Sequence, residues 1–181
     1  SLTLDEVKRL ADTPCESDVL RRASFFSILT GLRHIDIKNL KWKQISQTSN
    51  GSWRIDISQI KTKVGAYLPI SDQAYAMCGT RSEDEELLVF AGLQNAAWIS
   101  KPLKKWIEAA GIKKHITFHL SRHSYATLQL ELGTDIYTIK SMLGHTNVKT
   151  TQIYSHIVDS AKEKAANTIH IDNLQSQQPI I

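Results

Sequence analysis

The sequence lacks the features that would place it in a membrane or in an oxidising compartment. No run of 18 or more apolar residues occurs in its 181 residues, which excludes a membrane-spanning helix. The amino terminus carries no basic segment followed by an apolar one, so no secretory signal is predicted. The two cysteines, Cys15 and Cys78, have neither the spacing of a disulfide framework nor that of a metal site. We therefore expect a cytoplasmic protein in a reducing environment.

The composition fits one globular domain and leaves the function open. Apolar residues make up 41% of the chain, enough to bury one substantial core. The net charge of +4 is compatible with a nucleic-acid partner, but many unrelated domains carry as much. No internal repeat or low-complexity tract is present. Composition therefore predicts the domain count and little about the chemistry.

Local patterns predict a mainly α fold with a small three-stranded antiparallel β-sheet. Thr3 and Glu6 have the spacing of a capping box at the start of the first helix. Asn50-Gly51 is a hairpin signal followed by alternating apolar residues, so we predict three strands between about residues 42 and 70. Gly133 is predicted to end a helix that begins at His119. Helices are predicted over residues 3–11, 17–32, 95–110, 119–132, 135–143, 148–154 and 159–167, with one more capped by Ser71 and a short helical or turn segment over 32–40. The residues predicted on or near the apolar face of the helix over 95–110 are Trp98, Ile99, Leu103, Trp106 and Ile107.

A set of arginines, histidines and one tyrosine stands out because such residues make a poor hydrophobic core. It comprises T-G-L-R at residues 30–33, H-L-S-R at 119–122, L-G-H at 143–145, and Tyr154. Arginine grips a phosphate with two hydrogen bonds, and histidine transfers protons near neutral pH. A free phenol has a pKa of about 10, so a catalytic tyrosine needs cations or a base beside it. The set is therefore suited to a covalent reaction at a phosphodiester, with guanidinium groups stabilising the transition state without a metal.

Each of these residues taken alone is more often structural, and one rival site must be weighed. His115, His119 and His123 recur every four residues, a spacing that would bring three imidazoles toward a zinc ion. However, the chain has no H-E-x-x-H motif and no carboxylate within this run. Residues 116–118 also resemble a stretch that precedes the helix, which takes His115 off the helix face. We therefore predict no metal at this site.

As a set, these segments resemble the tyrosine recombinases, which include phage integrases, the Cre and Xer recombinases and integrases of mobile elements. The chain reads T-G-L-R-H-I-D, H-L-S-R-H-S-Y-A-T, L-G-H-T-N and T-T-Q-I-Y-S-H, in the family's order, between Thr30 and His156. The segments I-K-N-L-K-W, K-T-T-Q-I-Y and I-V-D-S-A-K further resemble integrases of Bacteroidetes mobile elements. Ser121 stands where the family usually has leucine and Ile35 where serine is common. These departures bear on the subfamily and on no catalytic position.

The resemblance implies the tyrosine recombinase catalytic-domain fold, a DNA strand-transfer reaction and no cofactor. Tyr154 would attack a DNA phosphodiester and form a 3′-phosphotyrosyl bond with release of a 5′-hydroxyl. Arg33 and Arg122 would bind the non-bridging oxygens of the scissile phosphate. His119 would act in proton transfer, and His145 would hydrogen-bond the phosphate.

The resemblance also implies supporting residues around this core. Asp36 falls where the family keeps an acidic residue that braces the arginine or the histidine. The catalytic lysine, which protonates the leaving 5′-oxygen, lies in a turn between two strands; Lys61 is the first candidate and Lys63 the second. The lysines predicted to contact DNA phosphates are Lys41, Lys43, Lys63 and Lys149, with Lys104, Lys105, Lys113 and Lys114 as further candidates.

The implied organisation is that of a catalytic fragment. Residues 1–181 are expected to be the C-terminal catalytic domain without the N-terminal core-binding domain that completes a clamp around DNA. Residues 155–181 are expected to form a C-terminal helix and tail, which either docks on a neighbouring subunit or packs on its own domain. The implied partners are a double-stranded recombination site, further recombinase subunits in a tetrameric synapse and host DNA-bending proteins, at the bacterial nucleoid.

Three functions are consistent with these residues. The first is a site-specific recombinase or integrase that integrates or excises a mobile element. A type IB topoisomerase uses the same covalent chemistry and would relax supercoiled DNA that has no special site. A catalytically silent DNA-binding relative would keep the fold, but the intact set of candidate residues argues against it.

Overall fold

A computed structural model describes residues 1–57, 66–143 and 155–177, apart from the side chains of Leu120 and of residues 155–160. In these ranges the chain is mostly helical and has one three-stranded antiparallel sheet, which confirms the predicted fold class. The helices are α1 (Leu4–Asp12), α2 (Asp18–Thr30), α3 (His34–Lys38), α4 (Asp72–Met77), α5 (Ala96–Ala109), α6 (Phe118–Glu131), α7 (Ile136–Leu143) and α8 (Ser155–Ala166). The strands are β1 (Ile45–Gln47), β2 (Trp53–Asp56) and β3 (Tyr67–Ile70). None of the helices in these ranges has both the length and the hydropathy needed to cross a bilayer. The helix predicted over 148–154 lies outside the described residues.

The sheet has the order β1-β2-β3, and its register places one apolar row toward the core. Ile55 on β2 lies opposite Ile45 on β1 and Leu68 on β3, and all three side chains are buried. The turn between β1 and β2 uses Gly51 at φ 88°, as the Asn-Gly signal predicts. Because side chains of directly paired residues point to the same face of a sheet, this row gives the sheet one buried face.

Helix α2 lies at the centre of the domain and is buried on almost all sides. It packs against α4 and α6, and its aromatic residues bridge to other parts of the chain. Phe25 meets Trp106 of α5 edge-on with ring centroids 5.5 Å apart, and the Phe26 and Phe90 rings are 5.0 Å apart. A helix at the centre of the core explains why its apolar residues do not form a narrow stripe.

The prediction that Trp98 lies on the buried face of α5 is wrong. Trp98 is 71% exposed, whereas Ile99, Leu103, Trp106 and Ile107 of the same helix are buried. The buried positions follow an i, i+4, i+7, i+8 spacing that begins at residue 99. Trp98 precedes this series by one residue and is therefore rotated by about 100° around the helix axis, toward solvent.

Gly31 ends α2 at a point where three segments meet. It has a left-handed backbone with φ 76°, and its N–H donates to the Ser27 carbonyl at 2.8 Å. A Cβ atom at this position would lie 2.7 Å from Leu143 Cδ2 of α7 and 2.7 Å from Tyr125 Cδ1 of α6. Both the positive φ and the close approach require glycine here.

The described part of the tail packs on its own domain. Ile169 and Ile171 are buried, and the Gln73 side chain bonds the Ile171 backbone twice: its amide nitrogen donates to the carbonyl at 2.8 Å, and its oxygen accepts from the N–H at 3.0 Å. Gln177 makes the same kind of double bond with the Cys15 backbone, at 3.1 and 3.2 Å. Docking on a neighbouring subunit stays a prediction.

Gly31→Ala should destabilise the domain strongly. The left-handed backbone and the displaced Leu143 and Tyr125 side chains together predict a loss of about 2 to 5 kcal/mol in the free energy of unfolding, measured by urea denaturation. Gly133→Ala is the matched control, because Gly133 also has a positive φ of 93° but meets nothing within 4 Å. Its loss should be about 1 to 2 kcal/mol. Equal losses in the two variants would contradict the close packing at Gly31.

Gln73→Ala should loosen the tail. It removes the side-chain partners of the buried Ile171 backbone. The carbonyl still accepts from the Leu174 N–H at 3.3 Å, but the N–H loses its partner, and an unsatisfied buried group costs about 1 to 3 kcal/mol. The amide of Ile171 should therefore exchange with deuterium faster than in the parent chain. Gln175→Ala serves as the control, because it removes the same amide from an exposed position of the same tail. Unchanged exchange at Ile171 in the Gln73 variant would show that the double bond does not hold the tail.

Candidate active site

Arg33 is positioned by the turn that follows Gly31 and by Asp36. It precedes the first residue of α3, and its side chain turns back to the carboxylate one turn later. Nε donates to Asp36 Oδ2 at 2.8 Å and Nη2 to Oδ1 at 3.3 Å. The Arg33 side chain is 54% exposed and that of Asp36 only 11%, so a partly buried carboxylate holds a guanidinium that faces solvent. Hydrogen bonding and the charge of Asp36 raise the pKa of Arg33.

Arg122 lies on α6 and is buried, with 9% of its surface exposed. Its Nη2 donates to the backbone carbonyl of Leu143 at 2.7 Å, which ties the end of α7 to α6. Burial lowers the pKa of Arg122, the positive charge of Arg33 lowers it further, and Asp36 opposes both effects. Arginine stays protonated at all physiological pH values, so two positive charges lie near each other, and the negative charge of Asp36 acts on both.

His119 occupies the first turn of α6, three residues before Arg122 and on the same side of the helix. Its ring is exposed and lies against His123, with centroids 5.1 Å apart and an interplanar angle of 84°. The helix begins at Phe118, so His115 precedes it, as predicted. Within residues 1–57, 66–143 and 155–177, no three metal-binding side chains come together.

One hydrogen bond and one aromatic contact of His34 hold these segments and were not anticipated from the sequence. His34 Nε2 donates to the Gln94 carbonyl at 2.8 Å, and its ring meets Phe118 edge-on at 5.1 Å. His34 directly follows Arg33, and Phe118 directly precedes His119, so this contact links the two chemical segments. The only signal for this contact in the sequence is that each of the two residues is adjacent to a predicted site residue.

Tyr125 is the second unanticipated residue. It is completely buried, packs against Gly31, and its hydroxyl donates to Met142 Sδ at 3.1 Å. Burial raises the pKa of Tyr125 well above its ordinary value, so this phenol is unsuited to act as a nucleophile. Its place one turn after Arg122 in R-H-S-Y was the available signal.

Several predicted site residues fall outside the described part of the chain. These are Lys61, Lys63, His145, Lys149 and Tyr154. The residues that flank these segments are described. Leu143 accepts a hydrogen bond from Arg122, and the Ile57 N–H donates to the Ala66 carbonyl at 3.0 Å. The roles assigned to these five residues stay predictions.

Lys41 and Lys43, two of the predicted DNA-contact lysines, share one acidic partner. Lys41 Nζ lies 3.4 Å and Lys43 Nζ 3.0 Å from the carboxylate of Glu86. These hydrogen bonds lower the pKa of Glu86, with Lys43 making the larger contribution. All three side chains are largely exposed, where such pairs contribute little to stability. Either lysine therefore leaves Glu86 at small cost when an anion approaches.

The described geometry is suited to an oxyanion ligand. A bidentate carboxylate holds one exposed guanidinium, a second guanidinium is fixed by a carbonyl, and an exposed imidazole lies one turn away. A tetrahedral phosphate matches this arrangement, because planar guanidinium groups donate pairs of hydrogen bonds to its oxygens.

The sequence matches known proteins along most of its length. The model of the phage integrase family matches residues 1–161. A tyrosine recombinase of Thermosipho africanus is 30% identical over 175 residues, which cover 93% of this chain and 61% of that protein. The tyrosine recombinase XerD of Corynebacterium glutamicum is 48% identical over 71 residues, 39% of this chain and 23% of that protein. The chain thus spans about three-fifths of the length of the first of these relatives.

Solved structures share the fold. The integrase from mycobacterium phage Brujita superposes with a TM-score of 0.63 at 16% identity, covering 98% of this chain and 59% of that one. The XerA recombinase gives a TM-score of 0.60 at 26% identity, covering 90% and 60%. XerH site-specific recombinase, solved with a palindromic difH substrate in a post-cleavage complex, gives 0.58 at 21% identity, covering 90% and 50%. With a family model that matches nearly the whole sequence, the chain belongs to the phage integrase family.

Proposed function

We propose that this chain is the catalytic part of a site-specific DNA recombinase that cuts and rejoins strands through a 3′-phosphotyrosyl intermediate. The observation that carries the proposal is the paired guanidinium site of Arg33 and Arg122, braced by Asp36. Family membership and relatives named as tyrosine recombinases support it. The substrate is double-stranded DNA, in keeping with a fold neighbour that was solved with its difH substrate.

The reaction begins with attack of the Tyr154 hydroxyl oxygen on phosphorus. A phosphorus–oxygen bond to the tyrosine forms, the bond to the 5′-oxygen breaks, and the 3′-phosphate stays on the protein. His119 accepts the phenol proton, which matters because ionising a free phenol at pH 7 costs about 4 kcal/mol. Attack of a 5′-hydroxyl from another strand reverses these steps and reseals the DNA without an external energy source.

The two arginines act on the charge of the transition state. Their N–H groups bind the non-bridging oxygens, where negative charge increases as the five-coordinate phosphorus forms. Because Asp36 and the Leu143 carbonyl already hold them in place, little reorganisation is needed during the step. His145 donates a further hydrogen bond to the same phosphate.

The remaining proton goes to the leaving 5′-oxygen. A lysine in the turn between β2 and β3 supplies it, with Lys61 as the first candidate and Lys63 as the second. The ammonium also offsets charge on the phosphate. Lys41, Lys43, Lys63 and Lys149 bind phosphates on the flanking DNA, so affinity falls as salt increases.

The full protein acts as an assembly. An N-terminal core-binding domain completes a clamp around DNA, four subunits form the synapse, and host DNA-bending proteins assist at the nucleoid. The tail, here packed on its own domain, docks on a neighbouring subunit in that assembly. The biological outcome is integration or excision of a mobile element.

Tyr154→Phe should abolish covalent capture of DNA. The experiment uses the full-length protein and a cognate duplex with a nick close to the scissile phosphate, so that the freed 5′-hydroxyl fragment diffuses away. The parent protein should give a DNA–protein band on a denaturing gel, and the variant none, because it has no phenolic oxygen to attack phosphorus.

Tyr137→Phe is the control, because Tyr137 is 73% exposed on α7 and carries no assigned role. It should form the covalent band at the rate of the parent. A band that persists in the Tyr154 variant contradicts the assignment of the nucleophile. Binding without any band in the parent indicates a catalytically silent relative.

A further inference from the structure

Two exposed histidines lie side by side on α6, at a spacing that suits metal binding. The rings of His119 and His123 are 5.1 Å apart between centroids, both are exposed, and neither is hydrogen-bonded by another described side chain. They are four residues apart on one helix, so their Cβ atoms are neighbours at about 5 to 6 Å. This spacing is the one by which helical histidine pairs bind zinc.

We propose that His119 and His123 form a two-imidazole site for a late first-row divalent cation: Cu²⁺, Ni²⁺ or Zn²⁺. Rotation of the exposed rings brings one nitrogen of each to about 2.0 to 2.1 Å from a shared ion, and water completes the coordination. His115 takes no part, because it lies before the start of α6; this two-ligand site is therefore distinct from the three-histidine zinc site that the sequence argues against.

The groups around the two histidines favour cations that bind nitrogen ligands over cations that require oxygen ligands. Arg33 and Arg122 place positive charge beside the first turn of α6, and Asp36 is already engaged by Arg33. The helix carries no acidic residue before Glu131. Mg²⁺ and Ca²⁺ require oxygen ligands and therefore gain nothing here, whereas Cu²⁺, Ni²⁺ and Zn²⁺ form strong bonds to imidazole.

The bound ion inhibits strand cleavage, a consequence that rests on the proposed function. A metal on His119 occupies the nitrogen lone pair with which the imidazole accepts the phenol proton. It also turns the ring toward His123 and away from the phosphate. The cation is thus an inhibitor of this chemistry and not a cofactor.

The test is a calorimetric titration of this chain with NiCl₂ at pH 7.5, with MgCl₂ as the reference ion. We expect one Ni²⁺ per chain and no heat from Mg²⁺. His123→Ala should weaken Ni²⁺ binding by about tenfold or more, since one of the two protein ligands is lost. His115→Ala is the matched control, because it removes an exposed histidine four residues from His119 that lies ahead of the helix, and it should bind as the parent does.

A spectroscopic readout locates the ion. Substoichiometric Ni²⁺, which is paramagnetic, should broaden the imidazole NMR signals of His119 and His123 and leave that of His115 sharp. Equal Ni²⁺ affinity in the parent and in His123→Ala overturns the proposal, as does broadening centred on another histidine. Absence of binding up to 1 mM also overturns it.

A separate arm concerns inhibition and keeps the two proposals distinguishable. In the full-length protein, Ni²⁺ should slow covalent capture and EDTA should restore it. If the protein shows no capture even without metal, the proposed function fails while the calorimetry still decides the metal site. If capture proceeds unaffected at saturating Ni²⁺, the inhibitory consequence is wrong.

Discussion

The close approach of Gly31 to α6 and α7 is the constraint on which the arrangement of the site depends. The missing side chain admits the Tyr125 ring and the Leu143 side chain, which lie where a Cβ would otherwise be. Those contacts bring together the turn that carries Arg33, the helix that carries His119 and Arg122, and the end of α7. Three segments far apart in the sequence thereby pack together, and the charged residues lie next to these contacts.

Two guanidinium groups lie near each other in the described part of the site, which supports the proposal that it holds an anion. Arg122 is buried near a second guanidinium, and each of these conditions lowers its pKa. Asp36 pairs with the Arg33 guanidinium, and the Leu143 carbonyl accepts one hydrogen bond from the Arg122 guanidinium. A phosphate relieves the repulsion, and a transition state with more negative charge relieves it further. Binding that strengthens in this way is the condition for catalysis.

Sequence patterns predicted the elements well because the relevant signals are local. The capping box at Thr3 and Glu6, the Asn50-Gly51 turn and the left-handed end at Gly133 each depend on a few neighbouring residues. The pairing of Arg33 with Asp36 was implied by family resemblance, and the geometry agrees with it. Trp98 was misplaced because it is apolar and adjacent to Ile99, although it lies about 100° around the helix axis from the buried series.

The residues that were missed act through tertiary contacts. Tyr125 packs where a side chain at position 31 would otherwise lie, and the His34 ring packs against Phe118. Neither relation follows from periodicity, since the partners are more than 80 residues apart in the chain. A pattern can therefore identify which residues carry the chemistry, but not how the packing around them fixes their positions.

A double-mutant cycle on Arg33 and Arg122 tests most directly whether the two guanidinium groups act on one phosphate. Single-turnover rates of covalent capture would be measured for the full-length protein, Arg33→Gln, Arg122→Gln and the double variant. Because groups that act as a unit are not additive, we predict that the rate in the double variant falls far less than the product of the two single losses, by about tenfold or more. Arg33→Gln combined with Arg9→Gln, whose guanidinium bonds the Gly111 carbonyl at 3.3 Å, should be additive. Losses in the first cycle that multiply in full would contradict a shared phosphate.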